Sequence, residues 1–222
     1  MPANSTQSPT KDGVIYIVDD DEAMRDSLTW LLQANGYKVS CHESGERFLQ
    51  ALAATDHSTI TCALLDIRMP TMSGIELHEK LLAQGYDFPV SFITGHGEVS
   101  LAVRALKLGA IDFIQKPFKE DLLCDLVDKM LSKAFKNKKD SIDLAELKAR
   151  FDTLTPRETH VLDRIAIGMT NKEVGADLDI SVKTVEAHRA NIMVKLKVNR
   201  PAKLLQIVIK YQDALKHGLV EV

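Results

Sequence analysis

A chain of 222 residues is longer than one typical domain, and its 45% hydrophobic and 27% charged residues are usual for a globular protein. The first segment, Met1–Asp12, is polar, and nowhere do about 18 apolar residues run together, so we expect no secretory leader, no membrane span and a cytoplasmic location. Because Cys41, Cys62 and Cys124 are unevenly spaced, we expect small core residues rather than disulfides or a zinc site.

Charge is distributed unevenly along the chain. Residues 1–132 contain 11 Lys and Arg against 19 Asp and Glu, a net charge of −8. Residues 150–222 contain 12 against 9, a net charge of +3. An acidic part is suited to a cation, and a mildly basic part is compatible with nucleic acid, although +3 alone is weak evidence. The two parts are therefore expected to have different partners.

In chain order, the first 132 residues alternate short apolar runs with helical patterns. The runs are continuous, as expected of parallel strands buried on both faces: Val14–Val18, Val39–Cys41, Cys62–Leu65, Val90–Ile93 and Phe113–Ile114. Helices are predicted over Ala23–Asn35, Gly45–Ala53, Gly74–Gln84, Val99–Leu108 and Glu120–Lys133. Gly36, Gly85 and Gly109 stand at expected left-handed helix ends. Five βα units predict a flavodoxin-like α/β domain with a parallel five-stranded sheet over residues 12–132.

The rest of the chain has no strand-like run. Residues 133–149 are charged and contain helix-weakening residues, and we interpret them as a linker that is helical in part. Within residues 150–222, four helix starts follow: Thr155-Pro156 with Glu158, Thr170 with Glu173, Ser181, and Arg200-Pro201. This pattern predicts a small all-α domain of four helices.

Polar side chains follow four of the predicted strands. Asp19 and Asp20 follow the first strand, Asp66 follows the third, and Thr94 and Lys116 follow the fourth and fifth. An open α/β sheet keeps its ligand crevice at the carboxyl ends of its strands, so we expect these side chains to converge there. Clustered carboxylates repel one another and need a cation, and oxygen ligands with room for water suit Mg²⁺.

We therefore predict a magnesium site formed by Asp19, Asp20, Asp66 and the main-chain carbonyl of Arg68. A carboxylate beside the ion can attack a phosphoryl donor, because the ion neutralises charge on the moving group. The Lys116 amine and the Thr94 hydroxyl would each bind a phosphoryl oxygen. The proline that follows the lysine favours an extended or turn conformation there, and its peptide bond is a candidate for the cis form.

These residues resemble the motifs of a bacterial response-regulator receiver domain: Asp19-Asp20, Asp66 with Met69-Pro70 and Gly74, Thr94-Gly95, and Lys116-Pro117-Phe118. The resemblance implies that Asp66 is the phosphoacceptor for a sensor histidine kinase, that Asp20 is the main metal carboxylate, and that Asp19 helps through water. It further implies that Thr94 moves toward the phosphoryl group while Phe113 turns inward. Plain core packing is the alternative role for Phe113.

The residues beside the crevice have less specific roles. By the same resemblance, Arg68 and His96 stand where side chains tune the loss of the phosphoryl group, and an ordinary loop position is the alternative for His96. Asp21 and Glu22 are interpreted as caps of the first helix rather than metal ligands.

Residues 153–210 are similar to a LuxR/NarL-type helix-turn-helix domain. The stretches that carry the similarity include Thr155-Pro156-Arg157-Glu158, Asn171-Lys172-Glu173-Val174, Thr184-Val185-Glu186-Ala187-His188 and Lys195-Leu196-Lys197-Val198. The helix Asn171–Leu178 would cross the DNA backbone, and the helix from Val182 to about Leu196 would enter the major groove. The apolar face is predicted to consist of Val174, Leu178, Ile180, Val185, Ile192 and Leu196.

The polar side of this domain supplies the predicted DNA contacts. We expect Lys172, Lys183, Arg189 and Lys195 to be free to meet phosphates. The set is completed by Thr184, Glu186, Ala187 and His188.

Three residues of the predicted major-groove helix are candidates for reading or flanking the bases. Some members of this class carry a lysine where Glu186 stands, and Glu186 can either accept a hydrogen bond from a cytosine amino group or balance cations on a solvated face. Ala187 and Ala190 can approach thymine methyl groups. His188 is expected to touch a phosphate or a backbone neighbour rather than a metal.

Together, the two parts resemble the FixJ subgroup of two-component regulators. That resemblance implies a homodimer, formed on phosphorylation through the face around the fourth helix and fifth strand, which here offers Val103, Leu106, Lys107 and Ile111. We therefore predict a DNA-binding response regulator that controls transcription. Its cofactor would be Mg²⁺, and its partners a sensor histidine kinase and double-stranded DNA, with RNA polymerase as a further candidate and no membrane partner.

Two rival functions follow from the same residues. A phosphatase of the aspartyl-phosphate type needs a second acid two residues after its nucleophile, and position 68 is an arginine. Our prediction is accordingly that the protein is not an enzyme beyond gain and loss of the phosphoryl group at Asp66. An orphan regulator would use its receiver without phosphorylation, but the complete set of crevice residues argues against this.

Overall fold

The computed structural model describes residues 9–55, 59–95, 99–217 and 219, and it divides into two compact units between Lys138 and Lys139. The division falls within the segment predicted as a linker, whose limits stay a prediction. The strands are β1 Val14–Val18, β2 Lys38–His42, β3 Thr61–Asp66, β4 Val90–Thr94 and β5 Phe113–Gln115. The helices that alternate with them are α1 Glu22–Ala34, α2 Gly45–Ala53, α3 Gly74–Ala83, α4 Val99–Lys107 and α5 Glu120–Phe151.

The five strands form one parallel sheet in the order β2-β1-β3-β4-β5, which confirms the predicted flavodoxin-like fold. Successive side chains of a strand point to opposite faces of the sheet. Ile15 and Ile17 belong to a core with α1 and α5, whereas Tyr16 and Val18 belong to a core with α2 and α3. Because both faces are covered, the central strands β1, β3 and β4 are buried at nearly every position rather than at alternate ones, whereas β2 at the edge is partly exposed.

Local signals at the helix ends behave as predicted. The Asp21 carboxylate caps α1 by accepting hydrogen bonds from the amides of Ala23 and Met24, at 2.9 and 3.3 Å. The three glycines predicted at helix ends, Gly36, Gly85 and Gly109, all have left-handed backbone angles.

Helix α5 is much longer than expected, because it ends at Phe151 rather than near Lys133. Its 32 residues include neither glycine nor proline. The weaker helix formers of the supposed linker, Asn137 and Ser141, each cost at most roughly 0.7 kcal/mol, too little to end a helix. None of the described helices, α5 included, is both long and apolar enough to cross a membrane.

The second unit contains α6 Pro156–Ala166, α7 Asn171–Leu178, α8 Val182–Lys195 and α9 Pro201–Lys216. The predicted capping boxes at the starts of α6 and α7 are both present. The four helices enclose one apolar core, and every residue predicted for the apolar face contributes to it: Val174, Val185, Ile192 and Leu196 are buried within it, and Leu178 and Ile180 are half-buried against it.

A tight turn joins α7 to α8. Asp179 ends α7 with φ +53°, in the left-handed region, and the Ile180 amide donates to the Gly175 carbonyl at 2.9 Å. A Cβ atom on Gly175 would stand 2.8 Å from the Ile180 carbonyl oxygen, so this turn needs glycine at that position.

The cysteines do not all behave as core residues. Cys62 is buried in β3, as predicted, and Cys124 is half-buried, but Cys41 is exposed, so that prediction was wrong. Cys41 lies on β2, an edge strand of the sheet, where its sulfur is 2.8 Å from the Thr29 hydroxyl oxygen. A strand at the edge has neighbours on one side only, and its side chains are less covered.

Candidate functional site

The first candidate site lies at the carboxyl ends of the central strands. Val18 of β1 is opposite Leu65 of β3, so the residues that follow them, Asp19 and Asp66, are brought side by side. The pairing of β4 with β5 brings Lys116, one residue past β5, to the same edge. The predicted convergence of these three side chains is therefore observed.

One ammonium group joins the two carboxylates. Lys116 Nζ donates to Asp66 Oδ1 at 2.7 Å and to Asp19 Oδ2 at 3.0 Å. The lysine backbone is held in turn, because its amide donates to the Thr94 carbonyl at 2.8 Å. The peptide bond between Lys116 and Pro117 is cis.

The Asp66 side chain is buried and forms short hydrogen bonds. Its side-chain Oδ2 accepts a hydrogen bond from the Arg68 amide at 2.6 Å. Burial raises the pKa of the Asp66 carboxyl, and the hydrogen bonds from Lys116 and Arg68 only partly oppose that rise. Burial lowers the pKa of Lys116, but its bonds to Asp66 and Asp19 outweigh burial and leave that pKa raised. The lysine is thus firmly cationic beside its acids.

The acidic loop after β1 is held by contacts that sequence reasoning missed. Asp19 is 1% exposed, and its Oδ1 accepts from the Asp21 amide at 2.9 Å. Arg25 Nη1 donates to the main-chain carbonyls of Asp19 and Asp20, at 2.8 and 3.0 Å. The Asp20 side chain is exposed. An arginine one turn into the helix that follows an acidic loop is the signal that identifies such a clamp.

The fit of this crevice to a hard cation can be judged from its donors. Asp19 and Asp66 are oxygen donors that already share one cation, the Lys116 ammonium. Among the described residues, no group of three or more His, Cys, Asp or Glu side chains is arranged to hold a metal. Two carboxylates, the exposed Asp20 and main-chain oxygens still suit Mg²⁺, which keeps several waters. A magnesium site here would therefore be an open, largely hydrated one.

Close packing of α3 against β3 shapes the floor of the crevice. The Gly74 amide donates to the Ile67 carbonyl at 3.0 Å, and a Cβ atom at Gly74 would lie 2.1 Å from the Asp66 carbonyl oxygen. Only glycine allows this approach.

The predicted switch residues lie on β4 and β5. Thr94, at the end of β4, is 3% exposed, and its hydroxyl donates to the Gly95 carbonyl at 3.2 Å. Phe113 of β5 is paired with Phe92 and is half-buried against the core. The arrangement is compatible with both a switch role and simple packing for Phe113. His96 lies outside the described residues.

The predicted dimer face is only partly exposed. Val103 and Leu106 on α4 are 46% and 40% exposed, and Lys107 is also exposed. Ile111, in contrast, is half-buried and packs against the core that contains α5. The accessible apolar part of this face therefore consists of Val103 and Leu106.

The second candidate site is the outer side of α8 in the helical unit. Five of the predicted DNA-binding residues are exposed: Lys172, Lys183, Thr184, Glu186 and Ala187. His188 and Arg189 are half-buried, and Arg189 Nη1 donates to Asn171 Oδ1 at 3.0 Å. This bond holds Arg189 beside the N-terminus of α7, so Arg189 is not entirely free as predicted, although its partner is a neutral amide rather than a charge.

Lys195 is not free, and the expectation that it would be was wrong. Its ammonium donates to Glu158 Oε2 at 2.6 Å and to the Thr153 carbonyl at 2.9 Å. Glu158 is only 3% exposed, so its charge needs a partner inside the domain. Burial raises the pKa of Glu158, but the bonds from Lys195 and Thr155 outweigh burial and hold that pKa below its usual value.

Sequence reasoning also overlooked one residue on the outer side of α8. Val194, near the end of α8, is 76% exposed although it is a branched apolar residue, whereas Val185 in the first part of the same helix is fully buried. Ala190 and Asn191 are exposed as well. The signal was available, since residues nine apart on a helix are about two and a half turns apart and face opposite sides.

The fold and the crevice together define the receiver class of α/β domains, and the second unit has the architecture of a helix-turn-helix DNA-binding domain. The family models agree. Residues 15–128 match the response regulator receiver domain, and residues 152–208 match the bacterial regulatory proteins of the luxR family.

Known proteins resemble the chain over nearly its whole length. The transcriptional regulatory protein FixJ of Bradyrhizobium diazoefficiens is 39% identical, over 90% of this chain and 97% of that protein. The response regulator protein TmoT of Ectopseudomonas mendocina is 40% identical, over 93% of this chain and 92% of its own length. The solved structure of the response regulator StyR is 38% identical in sequence, with a TM-score of 0.77. The match covers 90% of this chain and 100% of the StyR chain.

The chain therefore belongs to the response regulators, with a receiver domain followed by a LuxR-type helix-turn-helix domain. It is a phosphorylation-regulated, DNA-binding transcription regulator of the FixJ type, as the sequence predicted. A receiver domain implies a sensor kinase as partner, and a LuxR-type domain implies DNA.

Proposed function

We propose that Asp66 is the residue that accepts the phosphoryl group from a sensor histidine kinase. The observation that supports this most directly is the Lys116 ammonium between Asp66 and Asp19, at 2.7 and 3.0 Å. A cation fixed beside an acceptor carboxylate can stabilise charge on an arriving phosphoryl group without reorganising first. In the transfer, an Asp66 oxygen bonds to phosphorus while the bond to the kinase histidine nitrogen breaks, and that nitrogen keeps the electron pair and takes up a proton.

The remaining crevice residues would position the reacting group. Asp20, Asp66 and the Arg68 carbonyl are the groups that we propose for Mg²⁺, with Asp19 acting through water, and the bound ion would supply charge neutralisation on phosphoryl oxygens. Lys116 would exchange its carboxylate partner for a phosphoryl oxygen, and the Thr94 hydroxyl would donate to another. Phe113 would turn inward as Thr94 moves.

Phosphorylation would be transmitted as a change of assembly. We propose that the face with Val103, Leu106, Lys107 and Ile111 forms a homodimer when Asp66 is phosphorylated, so that two copies of α8 reach the two halves of a two-fold DNA site. Lys172, Lys183 and Arg189 would contact phosphates, and Lys195 is left out because Glu158 holds it. The limits of the receiver at residues 12–132, the linker at 133–149 and the DNA-binding domain at 150–222 belong to this proposal, as do a cytoplasmic location and contact with RNA polymerase.

Intact-mass measurement after incubation with Mg²⁺ and acetyl phosphate tests the acceptor. The parent chain should gain one persistent phosphoryl group, and Asp66→Asn should gain none while keeping its fold, because removal of the charge relieves repulsion with Asp19. Asp21→Asn is the matched control, since asparagine caps a helix as well as aspartate and the residue is outside the proposed acceptor site. Removing Mg²⁺ with a chelator should abolish the adduct in both Asp66-containing chains.

The same measurement separates the rival functions. Rapid turnover of acetyl phosphate without a lasting adduct would favour a phosphatase. No reaction at all would favour a regulator that works without phosphorylation. A phosphoryl group that survives in Asp66→Asn would show that another residue is the acceptor.

The dimer face is tested by Leu106→Asp. An unpaired charge in a desolvated contact would destabilise the dimer by about 3 to 5 kcal/mol. The phosphorylated variant should therefore stay monomeric in analytical ultracentrifugation. Leu82→Asp is the control, because Leu82 on α3 is similarly exposed, at 45% against 40%. A phosphorylated Leu106→Asp chain that dimerises like the Leu82→Asp chain would place the interface elsewhere.

A further inference from the structure

The outer side of α8 carries an apolar line where a solvent-facing helix normally carries polar residues. We call Ala187, Ala190 and Val194 the outer strip. All three are exposed, and Val194 reaches 76%. Val194 follows the fully buried Val185 by nine residues, about two and a half helical turns, so the strip lies opposite the core side of α8.

The surroundings of the outer strip indicate what covers it. Polar residues flank it on both sides, with Glu186 on one and Thr184 and Asn191 on the other, and all three are exposed. Lys183 stands at its N-terminal end, and none of the described residues forms an ion pair or side-chain hydrogen bond with its ammonium group. A line of small apolar groups bordered by hydrogen-bonding and cationic side chains is complementary to a negatively charged groove that exposes a few apolar groups between its hydrogen-bonding groups.

The major groove of DNA has one such apolar point, the C5-methyl group of thymine, and contact with alanine is a usual way to read it. Alanine also keeps the side chain short enough for the helix backbone to come close. From Ala187 to Val194 the strip is about 10 Å long at 1.5 Å per residue, roughly the length of three base-pair steps.

We propose that the outer strip reads a short row of thymine methyl groups in each half of the DNA site. This inference rests on the proposed binding of α8 in the major groove and adds a base class to it. The polar flanks, in particular Glu186, would then read neighbouring base edges by hydrogen bonds, while the strip reads methyl groups through apolar contact alone.

Replacing thymine by uracil tests the proposal, because uracil forms the same base pair and lacks only the methyl group. Duplexes would be selected from a random pool with the full chain phosphorylated by acetyl phosphate. Each thymine of the selected half-site would then be changed to uracil in turn, and affinity measured by fluorescence anisotropy. At two or three neighbouring positions the loss should be about fourfold, the value of one buried methyl group, with no change elsewhere.

Side-chain variants connect the effect to the strip. In Ala187→Gly and in Val194→Ala, the ratio of the affinity for the thymine duplex to that for the uracil duplex should fall toward one. Each variant should show this at one position of the half-site. Ala145→Gly, an exposed mid-helix alanine of α5, is the control and should keep every ratio, although it has the same loss of helix propensity as Ala187→Gly. Because the readout is a ratio, a general loss of stability does not mimic the result.

Uracil duplexes bound as tightly as their parents at all positions would overturn this inference and leave the proposed function intact. The inference also fails if the thymine preference persists unchanged in both strip variants, or if the variants change dimerisation instead, which would assign the strip to a protein interface. A phosphorylated chain that selects no duplex at all would contradict the proposed function itself.

Discussion

The acidic crevice and the outer side of α8 use charge in opposite ways. In the crevice, Asp19 and Asp66 are 1% and 7% exposed, and both are held by Lys116. On α8, Lys183 and Glu186 are exposed to solvent. Charges that exchange partners during a reaction are held preorganised in a nearly dry site, whereas charges that meet a large anionic partner stay hydrated until binding.

The difference shows that pairing, not charge alone, separates residues with an internal role from residues that are presented to a partner. Lys195 illustrates the point, because it lies on the same helix as Lys183 but is paired with the buried Glu158. Its sequence context is that of a DNA contact, and its structural context resembles that of Lys116.

The largest effect is expected from Gly74→Ala, which attacks the packing on which the crevice depends. The added methyl group would lie 2.1 Å from the Asp66 carbonyl oxygen, so the start of α3 or the end of β3 must move. Overpacking against backbone should cost more than about 3 kcal/mol of unfolding free energy, measured by urea denaturation. Phosphorylation should be lost together with stability.

Gly95→Ala is the control for that change, because no described residue beyond its chain neighbours has an atom within 4 Å of the added one. Equal stability of Gly74→Ala and Gly95→Ala would show that the crevice tolerates movement of α3 and is less tightly constructed than its geometry indicates.

A smaller effect is expected from Lys195→Met, which leaves the Glu158 carboxylate buried without its cation. Loss of a buried partner costs about 3 to 5 kcal/mol, and the partial exposure of the lysine, 31%, reduces our expectation to about 2 kcal/mol in thermal or urea unfolding. A carboxyl whose pKa is lower in the folded than in the unfolded state stabilises the folded protein at pH values above its ordinary pKa. That contribution is lost as the pH falls toward the folded-state pKa. The stability of the parent should therefore decline more steeply in acid than that of Lys195→Met.

The double variant Glu158→Gln with Lys195→Met removes both charges and should recover part of the loss. If Lys195→Met unfolds like the parent and binds DNA less tightly, the lysine is a phosphate contact after all, and the distinction between the two sites would not extend to it.

The smallest effect concerns salt. With Lys172, Lys183 and Arg189 as the phosphate contacts, log affinity against log salt should have a slope of roughly −2.7 per bound domain, and about twice that for a dimer. Lys183→Met should reduce the slope to roughly −1.8 per domain, while Lys195→Met should leave it unchanged. A slope near −3.6 per domain in the parent would return Lys195 to the contacts, and titrations between about 50 and 200 mM salt decide between them.

Much of the receiver was predictable because its signals are local. The continuous apolar strands, the Asp21 cap and the left-handed Gly36 each depend on a few neighbouring residues, and each was found where expected. The same holds for the capping boxes at Thr155 and Thr170. Such features follow from backbone conformation and hydrogen bonds within one helical turn.

The errors arose where the outcome depends on distant parts of the chain. Helix α5 continues to Phe151 because weak helix formers do not end a helix without a competing structure. Cys41 is exposed because β2 lies at the edge of the sheet, and strand order is not visible in a single strand.

By itself, the sequence determined the class of each domain and the chemical groups of each site, since residue types and short spacings carry that information. Only the tertiary structure decided which of those groups are paired: Lys116 with acids 97 and 50 positions away, and Lys195 with Glu158 at a separation of 37. The physical reason is that burial and Coulomb interaction depend on distance in space. A charged side chain therefore acquires its role from neighbours that the folded chain brings to it.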